Sequence, residues 1–132
     1  MKSKKPLNRE SAISYKIIAF DLDDVICTRP KKYEHLGLGK YKYCKPIKKM
    51  IKIVNQLYDT NMIKIYTSRG MTILNGNVSL VYAKLYTLTL KHLKQWGVKY
   101  DVLVMGKTQY DILIDDKVIN SSKINKASYI KL

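Results

Sequence analysis

Acidic residues are scarce in this chain: 10 Asp and Glu stand against 25 Lys and Arg in 132 residues, a formal net charge of +15. Cysteine is scarcer still. Cys27 and Cys44 are the only two and have no CxxC spacing, which excludes a disulfide framework and leaves reduced thiols. No uncharged apolar run approaches the roughly 18 residues that span a bilayer. The basic stretch 1–14 lacks the apolar segment of about 7–15 residues that a secretory signal carries. It reads as a basic tail on a cytoplasmic protein with no membrane partner. Internal repeats and low-complexity linkers are missing too, and at about 100–200 residues per domain the chain makes one domain, residues 15–132. A large multidomain machine is excluded.

Arginine is also rare. Only Arg9, Arg29 and Arg69 are present, and Lys, Ile, Tyr and Asn are abundant, a skew that an A/T-rich coding sequence also produces. The positive charge therefore admits nucleic acid as a partner without requiring it.

What is present alternates between two periods. Residues 15–20 form a compact β-branched and aromatic run, which predicts a strand buried on both faces of a parallel sheet. Ile47, Met50, Ile51, Val54, Leu57 and Tyr58 then fall on one helical stripe, with Lys48, Lys49 and Lys52 opposite and Pro46 placed as a first-turn proline. A second strand is expected at 62–66 and a second helix at 78–95, stopped by Gly97. Third and fourth strands follow at 100–105 and 112–114, and 128–132 reads as a short edge strand. This order predicts a small α/β domain with a mainly parallel sheet. Residues 28–45 have little periodicity and read as a flap over the sheet edge.

In parallel sheets, ligands bind beyond the carboxyl ends of the strands. The first run ends in Asp21, Leu22, Asp23 and Asp24, and the second in Thr67, Ser68, Arg69 and Gly70. The fourth ends in Asp115 and Asp116, with Lys107 in the loop before it. Carboxylates from two strand ends converging on one edge repel unless a cation sits among them. Oxygen donors with waters and a substrate phosphate suit Mg²⁺. Lys107 and the Thr67 hydroxyl then serve as donors to phosphoryl oxygens. Asp21 and Asp23, one residue apart, point to the same side. Each residue also has an ordinary role: an Asp at a strand end caps turns, and Lys107 is one of many lysines.

Taken in order, these residues resemble the four motifs of the haloacid dehalogenase (HAD) superfamily. Phe20-Asp21-Leu22-Asp23-Asp24-Val25-Ile26 looks like motif I, Thr67 motif II, Lys107 motif III, and Ile112-Leu113-Ile114-Asp115-Asp116 motif IV. Cys44-Lys45-Pro46, Tyr66-Thr67-Ser68-Arg69-Gly70, Leu93-Lys94-Gln95-Trp96-Gly97-Val98, Gly106-Lys107 and Asp115-Asp116-Lys117 are similar to a subgroup of small phosphatases. Its members are often encoded beside polysaccharide and nucleotide-sugar biosynthesis genes. The chain departs from that pattern at Thr108, where Pro is usual, and at Asp24, where Gly or Asn is usual.

The resemblance implies a HAD-like, Rossmannoid fold and a Mg²⁺-dependent phosphatase. Asp21 would be the nucleophile that forms an aspartyl phosphate. Asp23 would be the general acid and base, with its backbone carbonyl on the metal. Thr67 and Lys107 would hold the phosphoryl group. Asp21, Asp23, Asp115 and Asp116 are the candidate metal set, and Ser68, Arg69 and Lys45 the candidate substrate-binding residues. For Arg69, a clamp on a substrate anion and a pairing with a local acid are both open. His35 and His92 read as surface or structural.

Other phosphate chemistries fail on spacing. Gly37-Leu38-Gly39-Lys40 does not complete a Walker loop, because Glu34 stands at the first Gly position and Tyr41 follows the lysine. Neither cysteine has an Arg six positions on, and there is no serine nucleophile elbow. The intervals from Asp23 to Thr67 and from Thr67 to Lys107 hold no spare residues for a cap domain. Selectivity in such a capless site would come from the flap, a second copy of the chain, or a large substrate. Two activities are expected from this: hydrolysis of a small phosphorylated sugar or polyol, or polynucleotide 3′-phosphatase activity, for which Tyr33, Tyr41 and Tyr43 would stack bases. A non-catalytic binding protein on the same fold is the third reading.

Overall fold

A computed structural model describes residues 16–130, so the expected tail 1–14 and residues 131–132 lie outside the described residues. Three parallel strands form the main sheet: β1 (Ile17–Phe20), β4 (Met62–Thr67) and β5 (Val102–Met105), in the order β1-β4-β5. Phe20 pairs with Ile65, and Thr67 with Met105. All three carboxyl ends therefore lie along one edge. A second, antiparallel pair joins β2 (Cys27–Thr28) to β3 (Lys45–Pro46). The result is a small α/β domain with a mainly parallel sheet.

Two helices cover the core. In α1 (Lys48–Tyr58) Met50, Ile51, Ile53, Val54, Leu57 and Tyr58 are buried, as expected from the stripe, because these positions recur at helical period while the lysines stay in water. Pro46 lies in β3 just ahead of the helix, so Ile47 is the cap and the proline is not in the first turn. In α2 (Val78–Gln95) the Asn77 side chain accepts from the Leu80 N–H at 3.1 Å. That satisfies one of the helix's open donors. Its other end closes in a Schellman arrangement, with Val98 N–H to Leu93 O at 3.0 Å and Gly97 N–H to Lys94 O at 3.2 Å. Gly97 takes the left-handed φ of 69° that this turn requires.

Three expectations need correction. Residues 112–114 form no strand; Ile112 and Ile114 are 80% and 93% exposed. Among the described residues β1 consequently has β4 as its one neighbour, and Ile17 is exposed rather than buried on both faces. The segment expected as an edge strand at 128–132 begins as a 3-10 turn, Ala127–Tyr129.

The flap, 28–45, is a chain of 3-10 turns (Lys31–Tyr43) broken at Gly37, where φ is 60°. Its ends are held together by the β2–β3 pairing, and Tyr41 anchors it, buried, with its hydroxyl accepting the Gly70 N–H at 2.9 Å. Neither interval between the candidate motifs contains a second folded unit.

Candidate active site

The loop after β1 winds around one carbonyl. Leu22 O accepts from the N–H groups of Val25, Ile26 and Cys27 at 3.2, 2.8 and 3.2 Å. Leu22 and Ile26 are fully buried, whereas the Asp21, Asp23 and Asp24 side chains face away from that core. Asp24 adopts φ 68°, the left-handed region that Asp and Asn tolerate better than most residues.

Asp21, Asp23, Thr67, Ser68, Arg69 and Lys107 all line one cavity of about 430 Å³. Asp21 Oδ1 accepts from Leu22 N–H at 2.7 Å, and its Oδ2 lies 3.4 Å from Lys107 Nζ. Lys107 arrives there through Gly106, whose φ is 87°, and through a Lys107 N–H to Thr67 O bond of 3.0 Å that ties the two loops. Its ammonium also faces the rings of Tyr66 and Tyr110 at 5.5 and 5.2 Å. Burial alone would lower the Lys107 pKa, but the Tyr110 hydroxyl and the Asp21 charge outweigh it and raise the pKa above the ordinary 10.5. Lys107 is a fixed cation. Thr67 is buried, and its Oγ1 accepts from the Arg69 N–H at 3.0 Å. Its own O–H is left to donate.

Arg69 turns inward. Its fully buried guanidinium donates to both oxygens of Asp23, from Nε at 3.0 Å and from Nη2 at 2.8 Å. Of the two roles open for it, pairing with a local acid is the one formed. Nη1 reaches Thr89 Oγ1 and His92 Nδ1, both at 3.2 Å, and Tyr41's ring lies 5.0 Å from the guanidinium carbon. Burial pushes the Asp23 pKa up, and the hydrogen bonds and charge of Arg69 override it, leaving the carboxyl below its ordinary 3.8. Asp23 is thus an ionised carboxylate at neutral pH, which opposes the acid half of the role implied for it. His92 is structural: stacked on Trp96 at 4.6 Å, it is held neutral by burial first and by Arg69 second, its pKa lowered to about 4.

The structure does not bring the four candidate metal carboxylates together. Asp115 and Asp116 are exposed and absent from the cavity wall, because the run before them pairs with no strand. Among the described residues, one group of three potential ligands lies within 4.8 Å: Asp23, Cys27 and Cys44. Two of its donors are sulfur, and both oxygens of the third are gripped by a cation, whereas Mg²⁺ takes oxygen donors. The arrangement does not fit Mg²⁺. Lys45 is exposed on β3 and lies away from the cavity wall.

Several wall residues were not singled out as site residues by the sequence, which gave the flap as a whole a selectivity role and Tyr41 a base-stacking one. Arg29, Glu34, Lys40 and Tyr41 come from the aperiodic flap, and Gln109 and Tyr110 from the loop after Lys107. The two buried thiols were read only as reduced. Their sulfurs lie 3.4 and 3.7 Å from Asp23 Oδ1, and the contact between them pushes Cys27 up and Cys44 down.

No family model and no curated protein matches the chain. Among solved structures, a structure-determination target from Vibrio cholerae superposes with a TM-score of 0.69 over 82% of this chain and 85% of that one, at 23% identity. That likeness extends to the fold. Among the described residues no helix is long and apolar enough to cross a membrane.

Proposed function

We propose that this chain is a capless HAD-like phosphomonoesterase working through an aspartyl phosphate on Asp21. The observation that carries this reading is the Asp21 carboxylate, one-third exposed and facing Lys107 at 3.4 Å in a cavity at the carboxyl ends of parallel strands. An Asp21 oxygen attacks the phosphorus of a phosphate monoester, and the P–O bond to the leaving alkoxide breaks. Lys107 and the Thr67 O–H hold the charge that spreads over the phosphoryl oxygens. Water then attacks the aspartyl phosphate and releases inorganic phosphate, restoring Asp21. The proton of that water is the one the resemblance assigns to Asp23, whose two oxygens are at present held by Arg69. The leaving alkoxide draws its proton from solvent. Mg²⁺ belongs to this reading through the resemblance, and no step is drawn through it.

The cavity has the volume of a site for a small phosphorylated molecule, which favours a sugar or polyol phosphate. Against the polynucleotide reading, Tyr33 and Tyr43 already stack on each other, 3.8 Å apart and 12° from parallel, and Tyr41 is buried against Gly70. The test is hydrolysis of a generic aryl phosphate by the wild-type chain and by Asp21→Asn. Activity in the wild type that disappears in the variant supports the mechanism; activity that persists removes Asp21 as nucleophile. Phosphate release from sugar phosphates against 3′-phosphorylated oligonucleotides then separates the substrate classes.

A further inference from the structure

Arg29 stands in the wall of the cavity that holds Asp21, Ser68 and Lys107. A guanidinium offers five N–H donors in a rigid fork. Among the described residues the fork of Arg29 makes one contact, an ion pair from Nη2 to Asp24 Oδ2 at 3.5 Å. Its Nε is shut off from solvent and meets no acceptor.

The other cations of the wall are engaged. Arg69 grips Asp23 through two bonds, Lys40 Nζ sits 3.0 Å from Glu34, and Lys107 faces Asp21. Asp24, by contrast, is a loose tether: its side chain is 68% exposed against 29% for Arg29, and solvent weakens such pairs. An arginine fork is matched best by two oxygens of one carboxylate or phosphate, bound through parallel N–H bonds. The cavity is large enough for a ligand that reaches past the phosphoryl group.

We infer that Arg29 is a specificity-determining residue that takes a second oxyanion of the substrate, a carboxylate or a second phosphate, in exchange for Asp24. The inference rests on the phosphatase reading for the group that is transferred, and on the cavity wall for the group that is recognised. The preferred substrate is then a small phosphate monoester that is acidic at its other end, not a neutral sugar phosphate.

Calorimetric titration of the full chain carrying Asp21→Asn, which removes the proposed nucleophile, with two matched pairs of probes tests this. 3-Phosphoglycerate against glycerol 3-phosphate isolates a carboxylate, and fructose 1,6-bisphosphate against fructose 6-phosphate isolates a second phosphate. In one pair, Arg29→Met should weaken the member with the second acidic group at least tenfold more than the member without it. Asp24→Asn should tighten that same member severalfold by freeing the fork. Asn is tolerated at the positive φ of position 24, so this variant decides the matter even if Arg29→Met does not fold. Equal weakening of both members of each pair, or an Asp24→Asn chain that does not discriminate, overturns the inference. Because binding is read without turnover, a wild type that hydrolyses nothing defeats the phosphatase reading separately.

Discussion

The Arg69 guanidinium holds the Asp23 carboxylate by both oxygens, with the arginine side chain wholly buried and Asp23 only 13% exposed. This pair joins two parts of the chain 46 residues apart, the loop after β1 and the loop after β4, at the point where each leaves the sheet. It fixes the walls of the cavity and sets the charge of a candidate catalytic group together. The surrounding cage, Thr89 and His92 from α2 and Tyr41 from the flap, ties both of those elements to the same guanidinium.

Removing one partner of such a pair leaves the other buried and uncompensated. Arg69→Met is expected to destabilise the fold by about 3–5 kcal/mol, and the Arg69→Met/Asp23→Asn double variant by much less than the sum of the singles. Urea unfolding of the four proteins measures the coupling, and additive losses would show the pair to be incidental. Because the folded Asp23 pKa is depressed, its stabilisation is complete above the ordinary 3.8 and is lost as pH falls through the folded value.

A second acid-sensitive group acts at milder pH. His92 titrates at about 4 when folded, against 6.5 for an ordinary histidine. The unfolded chain therefore binds a proton first. Stability from this residue is fully present above 6.5 and declines as pH falls toward 4, a loss of about 3 kcal/mol over that window. Unfolding free energies of the wild type and His92→Gln, measured from pH 7.5 to 4.5, should diverge in slope; parallel curves would mean that His92 titrates normally.

Gly106 sets the position of Lys107. Its φ is 87°, and a Cβ placed there would meet Val78 Cγ1 at 2.8 Å. Gly106→Ala is expected to cost about 1–3 kcal/mol in backbone strain and, if Lys107 stabilises the transferring phosphoryl group, to lower kcat/KM on an aryl phosphate by one to two orders of magnitude. Gly97→Ala is the control: its φ is also positive, at 69°, but a Cβ there meets open space. It should lose stability with kcat/KM unchanged. Equal kcat/KM in the two variants would separate the glycine from the chemistry.

Asp21 and Thr67 were legible because compact apolar runs stop just before or on them, and Lys107 because it lies in the loop before the next such run; a parallel sheet brings those ends to one edge. Arg69 was legible as a charge but not as a partner: nothing in a one-dimensional pattern says that its fork turns inward to Asp23 rather than outward to a ligand. Arg29 had no assigned role, and Tyr41 was read as a base-stacking residue rather than as an anchor, for a different reason. They sit in 3-10 turns interrupted by a positive-φ glycine, a segment without a period from which a face could be read. The run Ile112-Leu113-Ile114 shows the opposite error. Its composition suits a strand, but a strand exists only with a neighbour, and these residues have none in the described structure.

That unpaired run yields the last prediction. Among the described residues β1 has one edge without a partner, next to the exposed Ile17, while Ile112 and Ile114 are 80% and 93% exposed in the segment that carries Asp115 and Asp116. A strand edge with free N–H and C=O groups and an apolar run without a partner are complementary. If catalysis depends on Mg²⁺, the carboxylates that the resemblance assigns to it must approach Asp21, and pairing of residues 112–114 with β1 is the route that also covers Ile17. Added Mg²⁺ should then slow amide hydrogen exchange at 112–114 and along β1 by an order of magnitude or more, with Ca²⁺ less effective because its preferred ligand number and distances differ. Asp115→Asn/Asp116→Asn should abolish that protection without changing exchange in α2. Mg²⁺-dependent turnover with no change at 112–114 would place the metal on other ligands and leave the motif IV resemblance without a role.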